Sequence, residues 1–369
     1  GTLERMIEID YIINQFSKVK VNKMKPVIRT ILRSSVYQMK YMDSVPDSAI
    51  CNEAVKLAGK RGFVNLKGFV NGVLRNIGRN LDKISYPDEK DQVACISIKY
   101  SLPEWLVKQW LKVYDEETVK RIGKAFLEEK PLTVRFDEHK IKKAELISIL
   151  KKEGVTAGEV PEIPCALYLS GYDHLSALPS FCEGLYQVQD LSSMQVALWS
   201  EVKAGDQVLD VCAAPGGKST AVRGVLPEGS LLMSNEPMRP RANILMENVQ
   251  KFGHPDVIVT NNYAIDYQRS GLKFDVIIAD VPCSGLGIIR KKPDIRYKNP
   301  EELAQLPIIQ REILENVCRY VRSGGVLVYS TCTILPEENE QVTDAFLAEH
   351  SGFCREGFTL PEPVGETEG

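Results

Sequence analysis

Two cysteines, each directly after an apolar, strand-like run, carry the clearest chemical signal in this sequence of 369 residues. Cys283 stands in IIADVPCSG and Cys332 in VLVYSTCT. Most cysteines are small buried hydrophobic residues, but the proline, serine and glycine around Cys283 predict a turn outside the strand. The LPEEN segment after Cys332 predicts a helix start, where a thiolate is favoured. The pattern therefore indicates a thiolate nucleophile, and it does not rank the two thiols.

A loop with a glycine pair lies upstream, in VLDVCAAPGGKS (208–219). Small residues let a backbone approach a ligand closely, and the next helix offers free N–H groups. The loop matches neither GxGxxG nor the P-loop, and a lone glycine pair is more often a plain tight turn. Glu236, however, ends the next strand 20 residues beyond Gly216, where a carboxylate can hold ribose hydroxyls. Together they predict a nucleoside-type cofactor held by Cys212, Ala213, Ala214, Pro215, Gly216, Gly217, Lys218 and Glu236.

Charged side chains surround the first cysteine. Asp280 precedes Cys283 by three positions and can form hydrogen bonds with a base edge or a cofactor amine. The run RKKPDIRYK follows, and its basic side chains predict phosphate contacts beside the site, although a solvated face is the plainer alternative. The predicted RNA-binding residues are Arg290, Lys291, Lys292, Arg296 and Lys298.

The elements that must position these residues change character along the chain. Residues 1–80 show helical spacing of apolar residues throughout. Strand signals at 132–136, 166–170 and 184–190 then predict a small α/β unit. From about residue 205, five apolar strands alternate with helices, which predicts a Rossmann-like parallel sheet covered on both faces. Ligands bind beyond the carboxyl ends of such strands, where every motif above falls.

Composition narrows the class of protein. With 44% hydrophobic and 26% charged residues, the chain is typical of soluble globular proteins, and it has no apolar run of membrane-spanning length. Nine cysteines without a CxxC pair and four histidines without ligand spacing argue against disulfides and metals. A cytoplasmic protein without a metal is therefore expected. The first 80 residues carry 14 Lys and Arg against 6 Asp and Glu, which favours a polyanionic partner about as much as a solvated helical surface.

The motifs CAAPGGKS, ADVPCSG, KKPDIRY and VYSTCT with PEENE resemble those of the Sun-type family of RNA cytosine-5 methyltransferases. The helical head, with NEAVKLAGKRG and GFVNGVLRNI, is similar to a NusB-like RNA-binding domain. The resemblance implies three domains: a NusB-like RNA-binding domain at 1–82, a helical and small α/β RNA-binding or linker domain at 83–190, and a class I methyltransferase domain at 191–369.

The same resemblance implies roles for individual residues. Cys332 matches the nucleophile of the family, and Cys283 matches the cysteine that assists product release. Asp280 matches the aspartate that contacts cofactor and cytosine, residues 212–218 match the S-adenosylmethionine loop, and Glu236 matches the ribose-binding acid. The implied reaction is methylation of a cytosine at carbon 5 in 16S ribosomal RNA, free or in a partly assembled small subunit, by a monomer.

Three departures from the family pattern are visible. Asn262 stands where the family has an aspartate near the adenine. The family of 16S methyltransferases has an F type and a B type. Residues 214–285 resemble the F type, whereas the sequence on either side of them resembles the B type. The usual start of the NusB-like domain and a closing C-terminal hairpin are not found in the sequence, so both ends are expected to be incomplete.

Two other functions compete with methyl transfer. A non-catalytic RNA-binding or assembly factor would keep the helical head on a decayed core, but the retained thiols count against it. A dinucleotide-dependent dehydrogenase would share the strand–helix alternation, but it needs the GxGxxG loop that this sequence lacks.

Overall fold

The chain divides into two compact units in a computed structural model that describes residues 1–88, 90–265, 267 and 271–357. The helical unit consists of Gly1–Glu128 and Ile288–Pro300, and the sheet unit consists of Glu129–Gly287 and Glu301–Gly369. The predicted three-domain boundaries differ from this division and stay a prediction; residues 358–369 of the last domain lie outside the described residues. Among the helices that are described, none is both long and apolar enough to cross a membrane.

The helical unit is built from amphipathic helices. The helices are α1 (Met6–Phe16), α2 (Pro26–Tyr41), α3 (Asp47–Lys60), α4 (Lys67–Arg79), α5 (Gln92–Tyr100), α6 (Glu104–Trp110) and α7 (Glu116–Ala125). Helices α1 to α4 bury one apolar stripe each in a shared core that includes Ile12, Leu32 and Leu74. Pro26 occupies the first turn of α2, where its missing N–H costs nothing.

The sheet unit begins with a small antiparallel sheet in the order β2-β3-β1-β4. Its elements are β1 (Leu132–Phe136), α8 (Lys143–Lys152), β2 (Thr156–Glu159), β3 (Ala166–Ser170), α9 (Pro179–Cys182) and β4 (Tyr186–Val188). The three predicted strands are confirmed as β1, β3 and β4. Strand β2 was not expected, because its sequence TAGE has no apolar alternation; three of its four residues are exposed at the sheet edge.

The second sheet is parallel, in the order β7-β6-β5-β8-β9. Its elements are α10 (Leu191–Leu198), β5 (Gln207–Asp210), α11 (Gly217–Val225), β6 (Leu231–Asn235), α12 (Arg239–Lys251), β7 (Ile258–Thr260), β8 (Phe274–Asp280), α13 (Pro300–Leu303), α14 (Leu306–Val317), β9 (Val321–Ser330) and α15 (Glu340–Glu349). All five predicted strands are present, and apolar clusters cover both faces. The predicted Rossmann-like α/β class is therefore confirmed.

The strand order creates a crevice at one point of this sheet. The chain runs outward from β5 through β6 to β7 and then returns to β8, on the other side of β5. The loops after β5 and β8 therefore diverge at their carboxyl ends, which is where open parallel sheets bind ligands.

Candidate active site

The two strand-end thiols meet. In the ladder between β8 and β9, Asp280 lies opposite Ser330, so the loops that follow both strands leave the sheet side by side. The Sγ atoms of Cys283 and Cys332 are 3.1 Å apart, and the backbone N–H of Cys332 donates to Cys283 Sγ at 3.2 Å. Both side chains are half-buried and unbridged. The structure therefore brings the two predicted nucleophile candidates into one site.

The protonation of this pair is set by mutual contact. The hydrogen bond to Cys332 and then burial raise the pKa of Cys283 far above its usual range. Cys283 consequently keeps its proton and can donate it to the neighbouring sulfur. The helix start expected after Cys332 is present as a short 3-10 helix, Pro336–Glu338, with Pro336 in its first turn, and α15 begins two residues later, at Glu340.

A buried polar network, which sequence reasoning missed, holds the two cysteine loops. The carboxylate of Glu338 accepts the backbone N–H of Ser284 at 2.8 Å and Nε2 of Gln310 at 2.9 Å. Ser284 Oγ donates to Thr333 Oγ1 at 2.8 Å, which ties the loop after β8 to the loop after β9. The sequence signal for Glu338 was its place in the PEENE motif, which gave it no role, and Gln310 was a polar residue among the apolar residues of α14.

Asp280 is oriented from two sides. Its Oδ2 pairs with Lys218 Nζ at 2.7 Å, and its Oδ1 accepts from Ser330 Oγ at 3.0 Å. The side chain remains partly open to solvent, so a ligand can reach the carboxylate. Lys218 comes from the glycine loop, and this contact therefore joins the predicted cofactor loop to the cysteine site.

The loop Cys212–Lys218 requires glycine at its turn. Gly216 has φ +107°, and a Cβ there would lie 2.9 Å from Leu245 Cδ1, so a larger residue is excluded by backbone conformation and by packing. Gly217, the first residue of α11, has open space at the Cβ position. Burial raises the pKa of Cys212, and Asp210, Asp280 and Glu236 add to the effect; Cys212 is thus no thiolate nucleophile.

Glu236 directly follows β6 and is only 1% exposed. Its Oε1 accepts the backbone N–H of Met238 at 3.0 Å, and its Oε2 lies 3.3 Å from Arg241 Nη1. Arg241 also donates to the carbonyl of Ala214 at 2.9 Å. The predicted ribose-binding carboxylate therefore lies next to the glycine loop, with an arginine as its partner.

Asn262 is held through its backbone. Its N–H donates to Asn235 Oδ1 at 3.0 Å, and its carbonyl accepts from Asn235 Nδ2 at 2.8 Å. Asn235, a fully buried residue at the end of β6, was not singled out from the sequence. It keeps the loop after β7 beside Glu236.

The predicted RNA-binding residues belong to the helical unit, in Ile288–Pro300. Lys291 and Lys292 are exposed, and Arg290 and Lys298 are partly exposed. Arg296 is completely buried and reaches the carbonyl of Phe126 at 3.5 Å. The structure thus gives Arg296 no access to RNA phosphate, because its side chain fills the interior of the helical unit.

Asp210, at the end of β5, gives the sheet unit a pH dependence. It is fully buried, accepts from Ser219 Oγ at 2.7 Å, and burial raises its pKa from 3.8 to about 7. Between those values the folded state binds more protons than the unfolded state. Its contribution to the free energy of unfolding therefore falls as pH rises, by at most about 1.4 kcal/mol per pH unit.

Asp210→Asn is expected to remove this slope. Stability is measured as the urea concentration at the midpoint of unfolding. From pH 5 to pH 8, the midpoint of the variant should increase relative to that of the parent. Asp256→Asn is the matched control, since Arg223 lowers the pKa of Asp256 and leaves no slope in that window. A constant difference for Asp210→Asn would show that Asp210 does not titrate there.

Comparison with known proteins shows the family to which this chain is similar. Family models match at residues 1–79 (NusB family), 102–173 (ferredoxin-like domain of RsmF/B-like methyltransferases) and 197–369 (16S rRNA methyltransferase RsmB/F). The probable ribosomal RNA small subunit methyltransferase B of Bacillus subtilis is 36% identical over 361 residues, 96% of this chain and 79% of that protein. Its Synechocystis counterpart is 30% identical, covering 100% of this chain and 83% of that protein. The crystal structure of PH0851 has the same fold, with a TM-score of 0.82 and 24% identity over 98% of this chain and 81% of that chain.

Proposed function

This chain belongs to the RsmB/F family of 16S ribosomal RNA methyltransferases, and from this premise we propose that it methylates carbon 5 of a cytosine in 16S ribosomal RNA. The methyl donor is S-adenosylmethionine, and the reaction passes through a covalent cysteine adduct. The observation that carries the proposal is the pair of thiols 3.1 Å apart, joined through Asp280 and Lys218 to a glycine loop.

Cytosine needs activation because its carbon 5 is a poor nucleophile. The Cys332 thiolate forms a bond to carbon 6, which breaks the aromaticity of the ring and makes carbon 5 enamine-like. Carbon 5 then accepts the methyl group, its proton is removed, and the bond between sulfur and carbon 6 breaks. The target base must leave its stack to reach the thiol.

Cys283 suits the last step because of what controls its proton. The raised pKa of Cys283 comes first from the hydrogen bond to Cys332, and the charge of Cys332 adds to it. Once the sulfur of Cys332 is bonded to carbon 6, that sulfur carries no charge, and both influences disappear. Cys283 can then release its proton to solvent and, as a thiolate, take the proton from carbon 5. The electrons of the broken carbon–hydrogen bond form the double bond between carbons 5 and 6 and expel Cys332 as a thiolate, which restores the starting pair.

The residues of the glycine loop fit an S-adenosylmethionine molecule, which supplies an electrophilic methyl group when bound. The open space over Gly217 leaves the start of α11 accessible. We assign the hydrogen bonds from ribose hydroxyls to the carboxylate of Glu236, which lies next to the glycine loop. Asn262 lies beside Glu236 in the loop after β7 and offers a neutral side chain, where the family resemblance implies an aspartate. These residues bind and orient; they take no part in bond formation.

We assign recognition of the base to Asp280. A carboxylate accepts a hydrogen bond from the exocyclic amine of cytosine, and uracil has no such donor. Lys218 and Ser330 fix the two oxygens of Asp280, so this discrimination depends on a preorganised group.

The proposed reaction is tested by incubating the protein with S-adenosylmethionine and unmodified 16S ribosomal RNA, followed by bisulfite sequencing. A single protected cytosine is expected. RNA that is bound but unmodified would instead support the assembly-factor function, and methylation at a ring nitrogen or a ribose would overturn the cysteine mechanism.

RNA affinity is predicted to depend on the exposed lysines of 290–298. Lys292→Gln should weaken binding and reduce the slope of log affinity against log salt by about 1, since one phosphate contact is lost. Lys203→Gln, an exposed lysine that precedes the amino end of β5, is the control and should change neither quantity. Filter binding at several salt concentrations measures both; equal slopes for the two variants would exclude this segment from the RNA interface.

A further inference from the structure

The turn that carries Cys283 is held by hydrogen bonds on both sides of the cysteine. Gln310 Nε2, from α14, donates to the carbonyl of Pro282 at 2.9 Å. Glu338 accepts the N–H of Ser284 at 2.8 Å. The residues immediately before and after Cys283 are therefore each fixed by one side chain, and those two side chains bond to each other at 2.9 Å.

The pair Glu338 and Gln310, which we call the clamp, is not explained by a contribution to folding stability. Glu338 is 2% exposed, and within the described part of the chain its Oε1 has no hydrogen-bond partner. A buried carboxylate with an unsatisfied oxygen costs folding free energy, and an apolar residue of similar size would often be neutral or better. The folding free energy that the Glu338 carboxylate costs therefore points to a function in the site.

We propose that Glu338 and Gln310 are positioning residues that hold the Cys283 thiol against Cys332. This inference rests on the proposed function and deepens it. Neither residue touches the base; each acts through the backbone of Pro282 or Ser284. Without the clamp, the thiol of Cys283 loses its place at 3.1 Å from Cys332, and removal of the carbon-5 proton, for which Cys283 is needed, becomes slow. Attack by Cys332 does not require the clamp.

The test is the fraction of protein in a covalent RNA complex on a denaturing gel, with 16S ribosomal RNA and S-adenosylmethionine. Glu338→Ala should accumulate about tenfold or more complex than the wild type, because a hydrogen bond to a charged group is lost. Glu338→Gln, whose amide oxygen can still accept from Ser284, should stay close to the wild type. Glu153→Ala is the control: its carboxylate likewise accepts a serine backbone N–H, that of Ser180 at 2.9 Å, but it lies directly after α8, beside the small antiparallel sheet.

A double variant separates positioning from other roles. Cys283→Ala with Glu338→Ala should trap no more RNA than Cys283→Ala alone, since residues that act through one group are not additive. Gln310→Met, which keeps the volume but removes the contact to Pro282, serves if Glu338→Ala does not bind cofactor.

The outcomes distinguish this inference from the proposed function. If Cys283→Ala traps RNA but neither Glu338→Ala nor Gln310→Met does, the clamp has no positioning role, and the proposed function stands. Loss of adduct and methylation in a Glu338→Ala protein that still binds cofactor would place its role with Cys332, against the proposal. If Cys283→Ala and the wild type both give no adduct and no methylation, the proposed function itself fails.

Discussion

Replacing Cys332 with alanine is expected to abolish both methyl transfer and covalent attachment to RNA. Without the sulfur of Cys332, no nucleophile attacks carbon 6 of cytosine, and carbon 5 stays unreactive towards the methyl donor. Replacing Cys283 with alanine should have the opposite signature. That variant still attacks and methylates, but it releases slowly, so a protein–RNA complex accumulates. A denaturing gel with labelled RNA, run in parallel with a methyl-transfer assay, measures both quantities.

The two variants control each other because their sulfur atoms share one site. If Cys332→Ala traps RNA and Cys283→Ala does not, the roles are reversed, as in DNA cytosine-5 methyltransferases. If methylation survives both changes, the thiols are structural. Cofactor affinity measured by calorimetry should be equal in all three proteins, which excludes general loss of the fold.

Glu236→Ala is expected to weaken S-adenosylmethionine binding by about 1–3 kcal/mol, the usual cost of leaving a polar group of the ligand unpaired. That cost corresponds to roughly a fivefold to 150-fold higher dissociation constant. Titration calorimetry with S-adenosylmethionine and with its demethylated product should give the same loss, since both carry the ribose.

Arg241→Met supplies the matched control for that prediction. Arg241 pairs with Glu236 Oε2 at 3.3 Å and is half exposed, so Glu236→Ala removes an ion pair as well as the proposed ribose contact. If Glu236 binds ribose directly, Arg241→Met should weaken binding much less than Glu236→Ala. Equal losses in both variants would show that Glu236 acts through Arg241, and unchanged binding by Glu236→Ala would remove it from the cofactor site.

In both sheets, the strands that could be predicted from the sequence are those with an apolar pattern. The five strands of the parallel sheet are continuous apolar runs, as burial on both faces requires, and β1 and β3 are equally clear. Strand β2 could not be predicted, because its residues are mostly exposed and it exists only as a partner for the edge of β3. Local sequence carries no signal for such a strand.

Part of the candidate site was visible for a similar reason. Strand-end motifs are local, so the approach of Cys283 to Cys332 followed from the order of two neighbouring strands. Gln310 and Glu338 contact the Cys283 turn across 28 and 54 positions of sequence, and no local pattern encodes such contacts. The run 290–298 misled for the converse reason: its charge predicted phosphate contacts for all five basic residues, whereas the side chain of Arg296 is buried.

The divided chain of the helical unit has a consequence for biosynthesis. Its last segment, Ile288–Pro300, leaves the ribosome about 160 residues after Glu128, which at roughly 5–20 residues per second is a delay of roughly ten to thirty seconds. Until then, the carbonyls of Leu3 and Phe126 lack the donors Tyr297 and Arg296. The four amino-terminal helices can pack early, since their core is their own, but the unit closes only after most of the parallel sheet has been translated. Because the chain is synthesised from its amino end, the helical unit begins to fold first, but it cannot be completed until the middle of the sheet unit has been translated.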